Sequence, residues 1–303
     1  MDFPFHYDHA EPLVFGGALP VRRSFDESSV VILPVPVDRT TSYVGGTCHG
    51  PHEILQASSH MELWDEEMQA DIHGVGIFTL PEMELPFGEM APLIDEIERV
   101  AYEVIGRDKF LLTLGGEHSI TPPLVSAAAR KHPGLSLLQI DAHADMRDAY
   151  MGTAHNHACA MRRALEYARI TQVGIRSLST EEAEALPRLN STVFYDHNMR
   201  QDPKWIDTVV ESLEKNVYVS IDVDGMDPAI MPATGTPEPG GLSWAEITTL
   251  LRRTAERRTI VAADLVELSP IPGMVAPTFL CAKLVYKLLT YRFAKDPRVK
   301  RLR

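Results

Sequence analysis

Cysteine, positive charge and long apolar runs are all scarce in this chain. Its three cysteines, Cys48, Cys159 and Cys281, stand far apart. They match neither a CxxC metal site nor a disulfide framework and read as ordinary thiols of a reducing compartment. Lysine and arginine number 29 against 42 acidic residues, a formal net charge of -13. Phosphate backbones are held by clustered Lys and Arg, so this balance excludes a general nucleic-acid binder and suits a cationic substrate. No window reaches the roughly 18 apolar residues that span a bilayer. The opening stretch MDFPFHYDHAEPLVFGG has no basic region followed by an apolar one, so it does not read as a secretory signal. A cytoplasmic protein without a membrane partner is expected.

What is present is the composition of a globular protein, 45% hydrophobic and 23% charged over 303 residues. That length suffices for one large domain over 1–303, with residues 1–28 as an irregular arm. Eight short aliphatic runs recur: VVILPV from Val30, VGIFTL from Val75, FLLTLG from Phe110, LSLLQID from Leu135, ITQVGI from Ile170, TVFY from Thr192, VYVSID from Val217 and TIVAADLV from Thr259. Runs apolar on both faces suit a parallel sheet covered by helices. Amphipathic stretches lie between them. In PLIDEIERVAYEVIGR, Leu93, Ile97, Val100 and Val104 form one stripe; Ser243 and Glu246 stand at capping-box spacing. Alternating strands and helices predict an α/β fold of three layers with a central parallel sheet of about eight strands.

In such sheets ligands bind beyond the carboxyl ends of the strands. Three run ends carry chemistry there. GGEHS supplies His118, DAHAD supplies Asp141, His143 and Asp145, and DVDGMDP supplies Asp222, Asp224 and Asp227. If the strand continues through IDAHAD, period-two alternation projects Asp141, His143 and Asp145 to one side. Asp227, before Pro228, reads as a turn former. Four aspartates brought together repel by roughly 1 to 4 kcal/mol per close pair. Two divalent cations would balance Asp141, Asp145, Asp222 and Asp224, with His118 and His143 as neutral nitrogen ligands. Oxygen ligands with some imidazole and no thiolate suit manganese, iron or cobalt-like ions. Paired metals acidify a shared water, so the residues by themselves reach metal-assisted hydrolysis.

GGEHS, DAHAD, SIDVDGMDPAIMPATGTPEPGG and DLVELSP, in this order, closely resemble the ureohydrolases, the arginase and agmatinase family, and agmatinases in particular. The resemblance runs from about Val30 to Tyr291. It implies an arginase-like fold with two manganese ions. His118, Asp141, Asp145 and Asp222 would hold one ion and Asp141, His143, Asp222 and Asp224 the other, with Asp141 and Asp222 bridging. It further implies that Glu267 pairs with the substrate guanidinium, that Asp145 helps to stabilise the tetrahedral intermediate, and that His157, in preference to His155, shuttles a proton to the leaving amine. The products would be urea and an amine, putrescine from agmatine, made in the cytoplasm by a homo-oligomer, a trimer or hexamer, acting in polyamine biosynthesis.

The loop MRDAYMGTAHNH lacks the arginase pattern and carries Arg147 and Tyr150. Arg147 reads either as a carboxylate anchor, favouring guanidinobutyrate or guanidinopropionate, or as a structural arginine paired with Asp148 or another acid. The loop TTSYVGGTCHGP lacks both GxGxxG and a P-loop lysine, and the resemblance puts it at the pocket rim. The rival readings are guanidinobutyrase, guanidinopropionase, guanidinase or formimidoylglutamate hydrolase, a deacetylase-like relative with one zinc, and a non-catalytic scaffold that keeps the fold.

Overall fold

Every one of the eight apolar runs forms a strand in the computed structural model, which describes residues 13–17, 24–85 and 88–301. The strands are β1 (Val30–Val35), β3 (Ile77–Thr79), β4 (Phe110–Gly115), β5 (Ser136–Ile140), β6 (Arg169–Ile175), β7 (Ser191–Tyr195), β8 (Asn216–Asp222) and β9 (Thr259–Val266). They make one sheet in the order β3-β1-β4-β9-β8-β5-β6-β7, and all its pairings are parallel. A separate antiparallel ladder joins β2 (Ala70–Asp71) to β10 (Lys300–Arg301).

Side chains alternate between the two sheet faces, and each face has its own apolar core. Val30 and Ile32 of β1 pack with α1 (Gly50–Ser58), α7 (Trp205–Ser212), α8 (Trp244–Arg257) and α9 (Val275–Phe293). Val31, Leu33 and Val35 pack on the other side with α2 (Met90–Gly106), α3 (Thr121–Lys131) and α4 (Ala160–Ala164). Shorter helices α5 (Thr180–Ala185) and α6 (Asp196–Met199) follow β6 and β7. The predicted stripe of α2 is buried at Leu93, Ile97, Val100 and Val104; burying each such side chain contributes about 1.5–3 kcal/mol. Ser243 and Glu246 form the expected capping box at the start of α8, and Ser179 with Glu182 forms another at α5.

Helix α9 is apolar nearly all round and contains a buried lysine. Lys287 Nζ lies 2.9 Å from Asp65, 3.1 Å from Glu67 and 3.3 Å from Glu66. Among the described residues no helix is long and apolar enough to cross a membrane. Of the arm expected over 1–28, residues 1–12 and 18–23 lie outside the described residues. Its described parts form turns without helix or strand, yet Phe15 and Phe25 are buried in the two cores.

Candidate metal centre

The four strands whose ends carry the motifs, β4, β9, β8 and β5, are consecutive neighbours in the sheet. Residues from 118 to 267 therefore meet at one carboxyl edge. Strand β5 stops at Ile140, so the expected extension through IDAHAD does not form. Asp141 Oδ1 instead accepts the His143 amide at 2.6 Å, the turn that an aspartate makes with the backbone two residues on. Asp222 repeats it, accepting the Asp224 amide at 2.9 Å. The period-two spacing thus encodes two Asx turns at strand ends. Asp145 comes beyond the first turn, with left-handed φ of 51°.

The acids and histidines do come together. His118 Nδ1 lies 3.2 Å from Asp141 Oδ2, 3.1 Å from Asp145 Oδ2 and 3.4 Å from Asp222 Oδ2. His143 Nδ1 is 2.9 Å from Asp224 Oδ2 and 3.7 Å from Asp141 Oδ1. All four aspartates and His118 are buried, whereas His143 is partly open. His118 Nδ1 is buried without a hydrogen-bond partner. A cation placed among that nitrogen and the surrounding carboxylates would satisfy it, so the residues fit a metal.

Supporting hydrogen bonds set the orientations of these side chains. Ser220 Oγ donates to Asp264 Oδ1 at 2.6 Å and lies 2.9 Å from His118 Nε2. With its proton used, the serine oxygen accepts from Nε2–H, which turns the Nδ1 lone pair toward the aspartates. Asp264 is held in turn by Tyr218 at 2.8 Å and Thr121 at 3.0 Å. Gln139 Nε2 donates to Asp141 Oδ2 at 2.6 Å, and Gln172 grips Gln139. These supports were not singled out in the sequence, although Asp264 was a lone charge inside an apolar strand.

Without cations the cluster takes up protons. Burial, then the charges of Asp224 and Asp145, push Asp141 up to about 7. Burial and the same kind of repulsion, from Asp224 and Asp141, raise Asp222 well above the usual carboxylate range. Burial would lower His143, but Asp224 and Asp141 outweigh it and raise the imidazole to about 11. Burial opposes ionisation of Asp224, yet His143 holds it down at about 2. His118 is raised well above its ordinary value because its three aspartates overcome the burial penalty. Protons balance part of the clustered charge, and metal ligation would require these groups deprotonated.

A cavity of about 210 Å³ opens over this cluster, lined by Ser42, His143, Asp145, Arg147, Tyr150, His157, Asp222, Asp224 and Glu267 among others. Glu267 follows β9 with φ of 67° and its Oε1 accepts the His118 amide at 2.7 Å. Burial, then Glu117, raise its carboxyl well above the ordinary range. His157 lines this cavity, whereas His155 lines another. Ser42 brings the TTSYVGGTCHGP loop to the rim. Arg147 stacks 4.5 Å over Tyr150 and pairs at 3.8 Å with Glu182; Asp148 belongs instead to Arg163 at 2.7 Å. Asp227 accepts the Ala229 amide at 2.8 Å as a turn former. A larger cavity of about 520 Å³ lies at the amino ends of the strands, where Lys109, Lys131, Arg292, Lys295 and Arg298 outnumber Asp108 and Asp296. The smaller cavity is the acidic one, with Asp145, Asp222, Asp224, Glu182 and Glu267 in its lining.

Comparison with known proteins gives the family. The family model described as "Arginase family" matches residues 28–290. The chain is 39% identical over 276 residues to the N(1)-aminopropylagmatine ureohydrolase of Synechocystis sp., covering 88% of this chain and 90% of that protein. It is 34% identical over 252 residues to the agmatinase of Bacillus cereus, covering 82% and 86%. The agmatine ureohydrolase structure of Thermoplasma volcanium matches with a TM-score of 0.82 at 34% identity, covering 90% of this chain and 92% of that one.

Proposed function

Because the chain belongs to the arginase family, we propose that it is a binuclear manganese hydrolase that converts agmatine to urea and putrescine. The observation that carries this reading is the buried, unpartnered His118 Nδ1 facing three aspartates, with Glu267 docked on the His118 amide. His118, Asp141, Asp145 and Asp222 would hold one ion, and Asp141, His143, Asp222 and Asp224 the other. Bound there, the two ions would supply Lewis acidity and a water of lowered pKa.

The chain's own residues do the rest. Glu267 Oε2 makes no hydrogen bond among the described residues, so it is left for a guanidinium. That cation would keep the buried Glu267 carboxyl ionised, and a charge-assisted pair orients the planar group over the aspartates. Asp145 lines the same cavity and would accept a proton-bearing group of the tetrahedral intermediate. His157 lies within the same cavity and protonates the departing amine. We place the enzyme in the cytoplasm as a homo-oligomer, a trimer or hexamer, serving polyamine biosynthesis.

A second substrate, N(1)-aminopropylagmatine, was not among the expectations drawn from the sequence. The 39% identity to a relative of that name favours it. It shares the guanidino end and differs by an added aminopropyl group, so the same cluster would release urea and a triamine. Urea release by manganese-loaded protein from agmatine, N(1)-aminopropylagmatine, arginine, guanidinobutyrate, guanidinopropionate and guanidine tests both. Preference for agmatine supports the first reading and preference for its aminopropyl derivative the second. Urea from none of them, with two metals bound, defeats the guanidino assignment.

A further inference from the structure

Glu117, next to His118 in GGEHS, is completely buried and yet plays no part in the ligand cluster. Each of its hydrogen-bond partners among the described residues is a donor. Its Oε2 accepts the amides of Arg39 and Thr40, both at 2.6 Å. Its Oε1 accepts Thr40 Oγ1 at 2.7 Å and Ser119 Oγ at 2.6 Å. An acceptor-only carboxylate is what such a shell requires. The backbone around it leaves no slack: a Cβ on Gly116 would come 1.9 Å from Val37 O, so the two segments meet where only glycine fits.

Thr40 carries this arrangement into the substrate cavity. Its Oγ1 is 3.0 Å from the His157 amide and 3.2 Å from His157 Nδ1. Asn156 adds a second tie, its Nδ2 donating to Thr40 O at 3.4 Å. A threonine hydroxyl has one proton and two lone pairs. The proton is committed to Glu117, so the oxygen can only accept from His157, from the amide and from Nδ1. The ring nitrogen facing Thr40 therefore bears hydrogen, and Nε2 is left as the basic atom. Ser42 Oγ, 3.4 Å from Nε2, is free to donate to it.

We propose that Glu117 and Thr40 are positioning residues that lock His157 in the Nδ1–H tautomer, so that Nε2 is the atom that moves the proton during guanidino hydrolysis. This rests on the function proposed above. The proton count closes. The water oxygen bonds to the guanidinium carbon, and one water proton passes to Nε2. As the carbon–nitrogen bond to the alkylamine breaks, Nε2 returns that proton to the leaving nitrogen. The second water proton follows to it, giving neutral urea, an alkylammonium and a neutral imidazole again. The Glu117 charge, one hydroxyl away, steadies the transient imidazolium, as a buried carboxylate does for a catalytic histidine.

The decisive measurement is the ¹⁵N spectrum of histidine-labelled full-length protein loaded with zinc as a diamagnetic ion, with His157 assigned by its loss in His157→Asn. A protonated Nδ1 is expected; a protonated Nε2 in the neutral ring overturns the proposal. Alongside it, Thr40→Val in manganese-loaded enzyme should lower kcat by about tenfold or more with KM within about twofold and metal content unchanged, and Thr40→Ser should restore most of the loss. An unaltered kcat in Thr40→Val also overturns it. Should Thr40→Val fail to fold, the wild-type tautomer decides alone. If the wild type releases no urea from any guanidino compound while Nδ1 is protonated, the functional reading falls and the tautomer assignment stands.

Discussion

Two acidic clusters among the described residues, each built on buried aspartate, are neutralised in opposite ways. Asp65, Glu66 and Glu67 meet a cation that the chain supplies, Lys287 from the apolar helix α9, and Glu67 also pairs with Arg252 at 2.9 Å. Glu67 consequently sits below its ordinary pKa: burial raises it, but Tyr291 and Lys287 outweigh that. Asp141, Asp145, Asp222 and Asp224 have only His118 and His143 as ion-pair partners among the described residues. Asp141 and Asp222 are raised instead of lowered. Glu66 and Glu67 are exposed, but Asp65 is as fully buried as Asp141, so at these two aspartates burial does not separate the clusters. The presence or absence of a built-in lysine or arginine does, and the cluster that lacks one is the proposed metal site.

The contrast can be broken at either cluster. Asp141→Asn or Asp222→Asn should lose bound manganese and urea release together, with kcat/KM falling by about 10³-fold or more; metal analysis beside a urea assay checks this, and an active, metal-free variant would refute the assignment. Lys287→Met should leave Asp65 uncompensated and destabilise the protein by about 3–5 kcal/mol in urea denaturation, with metal content unchanged in the folded fraction. Glu267→Gln should keep both ions but lose the ionic hold on the guanidinium, lowering kcat/KM by about 10²-fold.

A smaller effect concerns pH. Asp141 has a folded pKa of about 7 in the metal-free protein, above its unfolded value. Its contribution to stability is therefore present below the unfolded pKa and is lost as pH rises through about 7. Added manganese takes over the protons' role, so the gain in Tm on metal addition should grow from about pH 5.5 to about pH 8. Glu67 has the opposite sign: its depressed pKa gives stability present above the unfolded value and lost as pH falls through the folded one. A metal-induced Tm gain that is flat with pH would remove the distinction between the clusters.

Most of the sheet was legible because a strand buried on both faces has to be apolar throughout, and eight such runs stand out. The cluster of aspartates and histidines was legible because aspartate in pairs at the end of an apolar run has few structural uses. The reason for their spacing was not. It reads as strand alternation but arises from Asx turns at Asp141 and Asp222, and only the backbone shows where β5 stops. Lys287 was invisible for a related reason: a lysine in an apolar helix looks like a solvent-facing side chain until the loop at Asp65 is seen against it. Glu117 and Thr40 lie 77 residues apart and act through a third residue, His157; no local pattern joins them.

The strand order has a consequence for how the molecule is made. Strand β9, the last strand of the eight-stranded sheet in chain order, lies between β4 and β8. Until it arrives, the sheet is two separate pieces, β3-β1-β4 with His118 beside it and β8-β5-β6-β7 with the aspartates. A nascent chain therefore carries its acids long before it has a closed site, and the pairing that unites them is of high sequence separation and slow to form. Selective uptake of the ions should be a late, post-synthetic event, and a chain truncated before Thr259 should hold metal weakly and without discrimination.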